Sequence, residues 1–368
     1  MKAVAREERR VAYSLALLFA ILAAAIVAAG CRYYRHYEQQ FRTEAWNQLS
    51  AVAELKVDEL AQYRKERLWD ADDLFKNTAF SGLVRRFFDH PEDTDAQQQL
   101  QQWTDQYLAT RQYDHVRLFD AQGVSRLSVP AGRPPISSDV SQRVPEVLRS
   151  GQVTWHDFHR NEHDQRIYLT LLVPILDETD PRHALGVLAL RIDPEIYLYP
   201  FIKRWPTPSQ TAETLLVRRD GNDALFLNDL KFGTNTALNL RVPLGNTNAP
   251  AVKAILGEKG IVDGTDYRGA PVLAALRAIP DSPWFLEARI DTAEVYAPLR
   301  ERLRLTLLLV SLLLISAGAG IGATDRRGNR RLHCLTRTTC AHAKRMLISQ
   351  ANKGAARGGV ARFAKYQY

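Results

Sequence analysis

Apolar residues fall along this chain in three rhythms, and each rhythm predicts a different element. Residues 11–31 (VAYSLALLFAILAAAIVAAGC) and 305–324 (LTLLLVSLLLISAGAGIGAT) run 21 and 20 positions without a charge. As a helix, each would span roughly 30 Å, the depth of a bilayer's hydrocarbon core. Backbone amides in lipid must bond within their own segment, so both runs predict transmembrane helices. Residues 32–88 contain no Pro and one Gly, Gly82, and there Leu49, Ala53, Val57 and Leu60 recur at the spacing of one helix face. Dense alternating charges, as in Arg64-Lys65-Glu66-Arg67, suit a solvated opposite face, so residues 32–74 predict a long helical stalk.

From Tyr113 the period shortens to that of strands. Residues 115–119 and 124–129 flank Asp120-Ala121-Gln122-Gly123 as a hairpin, and residues 153–156, 166–175 and 185–192 predict further strands. Residues 137–150 between them carry helix signals. The Pro-rich stretch 200–209 (PFIKRWPTPS) marks a boundary, and a similar pattern then repeats. Residues 213–227 form strand, Asp-Gly-Asn-Asp turn and strand. Residues 250–257 are a short helix with Pro first and Gly last, where each is tolerated best. Strands follow at 260–265, 271–278 and 284–290, then a helix over 292–304 that leads into the second apolar run. The fold class is α+β. Its expected divisions are 1–10, a first span at 11–31, the stalk at 32–74, a membrane-distal sheet module at 75–208, a membrane-proximal one at 209–295, a connecting helix at 296–304, a second span at 305–324 and a basic tail at 325–368.

Charge orients this layout. The 368 residues include 49 Lys+Arg and 41 Asp+Glu, a formal charge of +8. Residues 1–10 hold four bases and two acids, and residues 325–368 hold eleven bases and one acid. Removing these leaves 34 bases against 38 acids in residues 32–304. Basic flanks stay in the cytoplasm, so the middle of the chain is expected outside it and both ends inside. The excess positive charge therefore belongs to membrane topology, and no nucleic-acid partner is expected. The mean hydropathy of −0.27 excludes a polytopic transporter. The three cysteines, Cys31, Cys334 and Cys340, lie outside the sheet modules, so no disulfide framework is expected there. Ala28-Ala29-Gly30-Cys31 has the look of a lipoprotein cleavage box. However, the run before it exceeds the roughly 7 to 15 residues of a signal core, so an uncleaved anchor is favoured.

Several strings carry a family resemblance: Leu55-Lys56, Tyr63-Arg64-Lys65-Glu66-Arg67, Asp70-Ala71, Asp157-Phe158-His159, Tyr197-Leu198-Tyr199-Pro200-Phe201, Trp205-Pro206-Thr207-Pro208-Ser209, Glu213-Thr214-Leu215-Leu216-Val217 and Asp281-Ser282-Pro283-Trp284-Phe285. With the anchor, stalk, two sheet modules and second anchor, they resemble the double Cache input region of bacterial PAS-containing sensor histidine kinases and diguanylate cyclases. The resemblance covers roughly residues 11–322. It implies two tandem PAS-like modules, extracytoplasmic sensing of a small molecule, a homodimer through stalk and transmembrane helices, and contact with membrane lipid. No phosphoacceptor His box, nucleotide-binding Gly box or cyclase signature follows the second run, so the chain reads as an input region truncated before its output, or as one ending in a basic lipid-binding tail. The rival reading is a membrane-anchored scaffold that binds proteins rather than a small molecule.

Chemistry-bearing residues are sparse. No nucleophile elbow, HExxH or P-loop is present, so an enzyme and a cofactor are not expected. Arg117, Arg166, Tyr168 and Arg191 lie on expected strands of the distal module, where an inward Arg can hold a carboxylate through two bonds. Asp157 and His159 are candidates for a pocket edge. The resemblance also supplies an amino-acid-binding pattern of Tyr, Arg, Trp-Tyr, Tyr and Asp, whose spacing is missing here. His156, His159 and His163 with Asp157 invite a metal, but strand alternation puts His156 and Asp157 on opposite faces, so none is expected. His333, Cys334, Cys340 and His342 have too wide a gap between the cysteines for the usual zinc spacing. Gly318 and Gly322 make a small-xxx-small pair suited to close helix approach.

Overall fold

The computed structural model describes residues 2–177, 180, 183–316, 318 and 319. The expected tail at 325–368, with its Cys and His residues, lies outside them, as does the end of the second apolar run. The chain forms two compact units, one of Met1–Gln39 with Pro298–Tyr368 and the other Gln40–Ala297.

Helix α1 (Lys2–Phe75) continues without a break from the first apolar run through the stalk. No Pro interrupts it, and its interior glycine, Gly30, has open space where a side chain would stand. Its segment from Leu17 is the one helix among the described residues long and apolar enough to cross a membrane. There Leu17, Leu18, Ile21, Leu22 and Val27 are all more than half exposed. Such a run of exposed large apolar side chains is stable in lipid and not in water. Residues 297–316 are also helical, and Leu305, Leu308, Leu312 and Ile315 are exposed in the same way. Within this unit Arg302 donates to the Tyr37 hydroxyl at 2.6 Å.

The larger unit holds two antiparallel sheets. The chain first turns through α2 (Thr78–Asp89), capped by Asn77, and α3 (Thr94–Arg111), capped by Asp93. Strands β1 (His115–Asp120), β2 (Ser125–Val129), β3 (Thr154–Arg160), β4 (Ile167–Leu176) and β5 (Ala184–Ile192) form the first sheet, in the order β2-β1-β5-β4-β3. Short helices α4 (Ser138–Ser141) and α5 (Val144–Ser150) lie between β2 and β3, and α6 (Leu198–Lys203) follows β5. The second sheet contains β6 (Glu213–Asp220), β7 (Asp223–Phe226), β8 (Arg241–Pro243), β9 (Gly260–Thr265), β10 (Pro271–Ala278) and β11 (Trp284–Asp291), in the order β8-β7-β6-β11-β10-β9. Helix α7 (Pro250–Ile255) starts at the expected Pro, and α8 (Thr292–Val295) follows β11.

One core joins α1 to both sheets. Leu49, Ala53, Val57 and Leu60, the residues that carried the helical period, are buried together with Val116, Leu118, Leu171 and Leu190 of the first sheet and Leu216, Leu273 and Leu286 of the second. The opposite face of each sheet has its own small core. In the first sheet Phe119, Leu172, Val187 and Ala189 pack under Val140 of α4 and Val144 and Val147 of α5. In the second, Leu215, Val217 and Phe226 pack under Val252 of α7. Lys56 is almost wholly buried, and its ammonium donates to the carbonyls of Phe201, Ile202 and Arg204 at 2.7, 3.0 and 2.9 Å. A lysine of α1 thus caps the C-terminal end of α6. Burial, with Arg204 nearby, brings its pKa down to about 8.

Candidate functional site

The side of the first sheet that faces away from α1 changes character along its length. Under α4 and α5 it is apolar; beyond them it is polar and still buried. The register decides which residues share this end. On β1 the alternation sends Val116 and Leu118 into the α1 core and turns His115 and Arg117 the other way. Across the ladder His115 pairs with Arg191 of β5, Arg191 with Thr170 of β4, Thr170 with His156 of β3, and Tyr168 with His159. One layer of His115, Arg191, Thr170 and His156 therefore crosses the sheet, flanked by Arg117, Tyr168 and His159.

A bulge in β3 completes the layer. In a regular strand His156 and His159, three residues apart, would point to opposite faces. The β3–β4 register shifts between them, so both stand on this face while Phe158 enters the α1 core. Their rings lie 4.5 Å apart between centroids.

Charge in the layer is unevenly compensated. Arg191 is 1% exposed and binds Asp114 through two nitrogens, Nε at 3.1 and 3.2 Å and Nη2 at 2.6 Å. Its guanidinium also lies 4.0 Å from the centre of the Tyr168 ring, whose hydroxyl donates to Asp164 at 2.8 Å. Arg117 has only the Ser128 hydroxyl, at 3.3 Å, and no carboxylate within ion-pair distance among the described residues. Burial and the neighbouring Arg191 charge both lower its pKa. His115 meets Ser128 Oγ through Nε2 at 2.8 Å, and burial followed by the charges of Arg191, Arg117 and Arg133 pushes it down to about 3. His159 is pushed down to about 4 by burial and by His156.

Four buried polar atoms of this layer have no hydrogen-bond partner among the described residues: His115 Nδ1, Arg117 Nε, Thr170 Oγ1 and Arg191 Nη1. An unpaired buried polar atom costs about 1–3 kcal/mol, and a charged one costs more. Native folds carry few of them. Four within one layer of one sheet, two belonging to guanidinium groups, make a locally positive field suited to an anionic group with several lone pairs.

Four of the six residues singled out from the sequence, Arg117, His159, Tyr168 and Arg191, come together here. Arg166 lies at the margin, half-exposed, donating to Asp193 at 2.7 Å. Asp157 lines one cleft with His156 and His159, but its carboxylate is held by the second sheet rather than by the polar layer. It accepts from Arg218 at 2.6 Å and from the indole of Trp284 at 2.9 Å, both on the second sheet. The sequence reading passed over His115, Ser128 and Thr170. The signal for two of them was a polar residue two places from Arg117 and another inside the apolar run of β4, the positions where alternation exposes a misfit.

No protein-family profile matches the chain, and no curated protein matches it. Among solved structures, the ligand-binding domain of the Pseudomonas fluorescens chemoreceptor CtaA with L-serine is 13% identical with a TM-score of 0.46, the match covering 68% of this chain and 98% of that one. The domain of the Pseudomonas aeruginosa chemoreceptor PctB with L-Arg is 13% identical at a TM-score of 0.47, covering 69% and 98%. That of the P. aeruginosa chemoreceptor PctC with GABA is 16% identical at 0.46, covering 67% and 100%.

Proposed function

We propose that this chain is a membrane-anchored extracytoplasmic sensor, and that the polar layer of its first sheet binds a small molecule through a carboxylate. The observation that carries the reading is the set of four buried polar atoms without a partner among the described residues, two of them on the guanidinium groups of Arg117 and Arg191, the first of which has no carboxylate within ion-pair distance there. Arg117 and Arg191 stand diagonally across the β1–β5 ladder, a separation of about 7–8 Å that one carboxylate can bridge from between them. Thr170 and His115 supply further partners for the rest of the ligand. Arg166 and Asp157 fall outside the contact set in this reading. The basic excess at both ends supports a two-pass topology with residues 32–304 outside the cytoplasm. The Gly318–Gly322 spacing supports pairing of two copies through their membrane helices.

The test uses the full chain in detergent micelles with L-alanine, L-arginine, 4-aminobutyrate and succinate as probes. At least one should raise the thermal midpoint of the parent protein and leave that of Arg117→Gln unmoved. Arg117 is half-buried and outside any ion pair, so the substitution should leave the fold intact. The reading fails if no probe shifts the parent, or if Arg117→Gln responds as the parent does.

A further inference from the structure

The same bulge that turns His159 to the polar face builds a second constellation at its edge. Asp139 of α4, His156 and His159 each present a donor atom, and the three lie within 4.8 Å of one another. We propose that Asp139, His156 and His159 form a site for a divalent transition metal of the zinc class, on the polar face of the first sheet.

The donor set suits that chemistry: two imidazoles and one carboxylate, with further positions left for water or a ligand group. His156 Nε2 and Asp139 Oδ2 are already 2.9 Å apart. A tetrahedral ion with bonds of about 2.0–2.1 Å needs its donors about 3.3 Å apart, so the group closes on an ion by small side-chain rotations. His159 Nδ1 faces the Asp157 carbonyl at 3.0 Å. A carbonyl only accepts, so Nδ1 carries the proton and Nε2 keeps its lone pair for a metal. That imidazole-to-carbonyl bond is the support that metal-bound histidines usually have. On His156 the proton now shared between Nε2 and Asp139 moves to Nδ1 when the metal takes its place.

Burial lowers the pKa of both imidazoles, which favours the neutral form that a metal ligand needs. Hydrogen bonds from Ser137 and His156 hold the Asp139 carboxyl below its usual range against the effect of burial. Asp139 remains half-exposed, and all three donors line an open cleft of about 440 Å³, which gives an ion a way in. The residue whose carbonyl holds His159 is tied through its side chain to Arg218 and Trp284, so the site abuts the contact between the two sheets.

The experiment is titration of the full chain in detergent with Zn²⁺ alone, by competition with a chromophoric chelator, and with Co²⁺ as a spectroscopic stand-in. One equivalent should bind, the Co²⁺ form should show the visible absorption of a low-coordinate imidazole site, and Asp139→Ala, on a half-exposed residue, should weaken binding at least tenfold. His159→Gln should abolish the Co²⁺ band. Thermal melts without metal check that each variant is folded, and Asp139→Ala keeps the test decisive if His159→Gln is not. Absence of stoichiometric Zn²⁺ binding overturns the proposal. So does binding that survives Asp139→Ala unchanged, or that disappears only in Cys334→Ser/Cys340→Ser.

Discussion

The carboxylate of Asp157 ties the first sheet to the second, and its removal has a calculable effect. Its carboxylate takes the indole N–H of Trp284, a side chain only 1% exposed, and pairs with Arg218 across the boundary between the two sheets. Asp157→Ala leaves that indole N–H buried without an acceptor, at about 1–3 kcal/mol. The ion pair has both partners about one-fifth exposed and adds about 0.5–1 kcal/mol after solvent screening. The expected loss is therefore about 1.5–4 kcal/mol. Asp157→Asn keeps an oxygen for the indole and loses only the charge, so it should cost about 1 kcal/mol. The assay is urea unfolding of the full chain in micelles, followed by circular dichroism and Trp fluorescence. A cycle with Arg218→Ala should give a coupling of about 0.5–1 kcal/mol. Stability within about 0.5 kcal/mol of the parent in Asp157→Ala, on the scale of an ordinary surface substitution, would refute the argument. Equal losses in the Asn and Ala variants would show that charge, not the indole bond, carries the contact.

Two further outcomes follow from the first sheet. His115 is fully buried and titrates near 3 when folded against about 6.5 when unfolded, so the unfolded chain takes up a proton that the folded chain refuses. Its contribution is present above pH 6.5 and is lost as pH falls. Between pH 7 and pH 5 it should remove about 2 kcal/mol, and His115→Gln should flatten that part of a stability-versus-pH curve measured by urea unfolding. A Cβ at Gly186 would stand 2.1 Å from the carbonyl oxygen of Phe119 on the neighbouring strand, where nothing can move aside without parting β1 from β5. Gly186→Ala should lower stability by more than about 3 kcal/mol or prevent folding, and an unchanged melting temperature would contradict the register described above.

Periodicity alone determined much of this protein. The helical spacing of Leu49, Ala53, Val57 and Leu60 marked the face that α1 buries, because a helix can present only one stripe to a core. Alternation and turn residues marked the β1–β2 hairpin and the strands that follow, and Pro250 marked the start of α7. Local signals were too weak for α6 and the three-residue edge strand β8, which exist because Lys56 caps the first and β7 pairs with the second. The candidate site was half legible. Arg117, Tyr168 and Arg191 stood out as polar residues on expected strands, but which of them meet depends on register, and register is set by pairing between strands far apart in sequence. The bulge between His156 and His159 is a tertiary decision of the same kind. One extra residue, accommodated where Phe158 enters the core and Asp157 reaches the second sheet, turns two histidines that alternation would separate onto one face, beside an aspartate seventeen residues before the first of them.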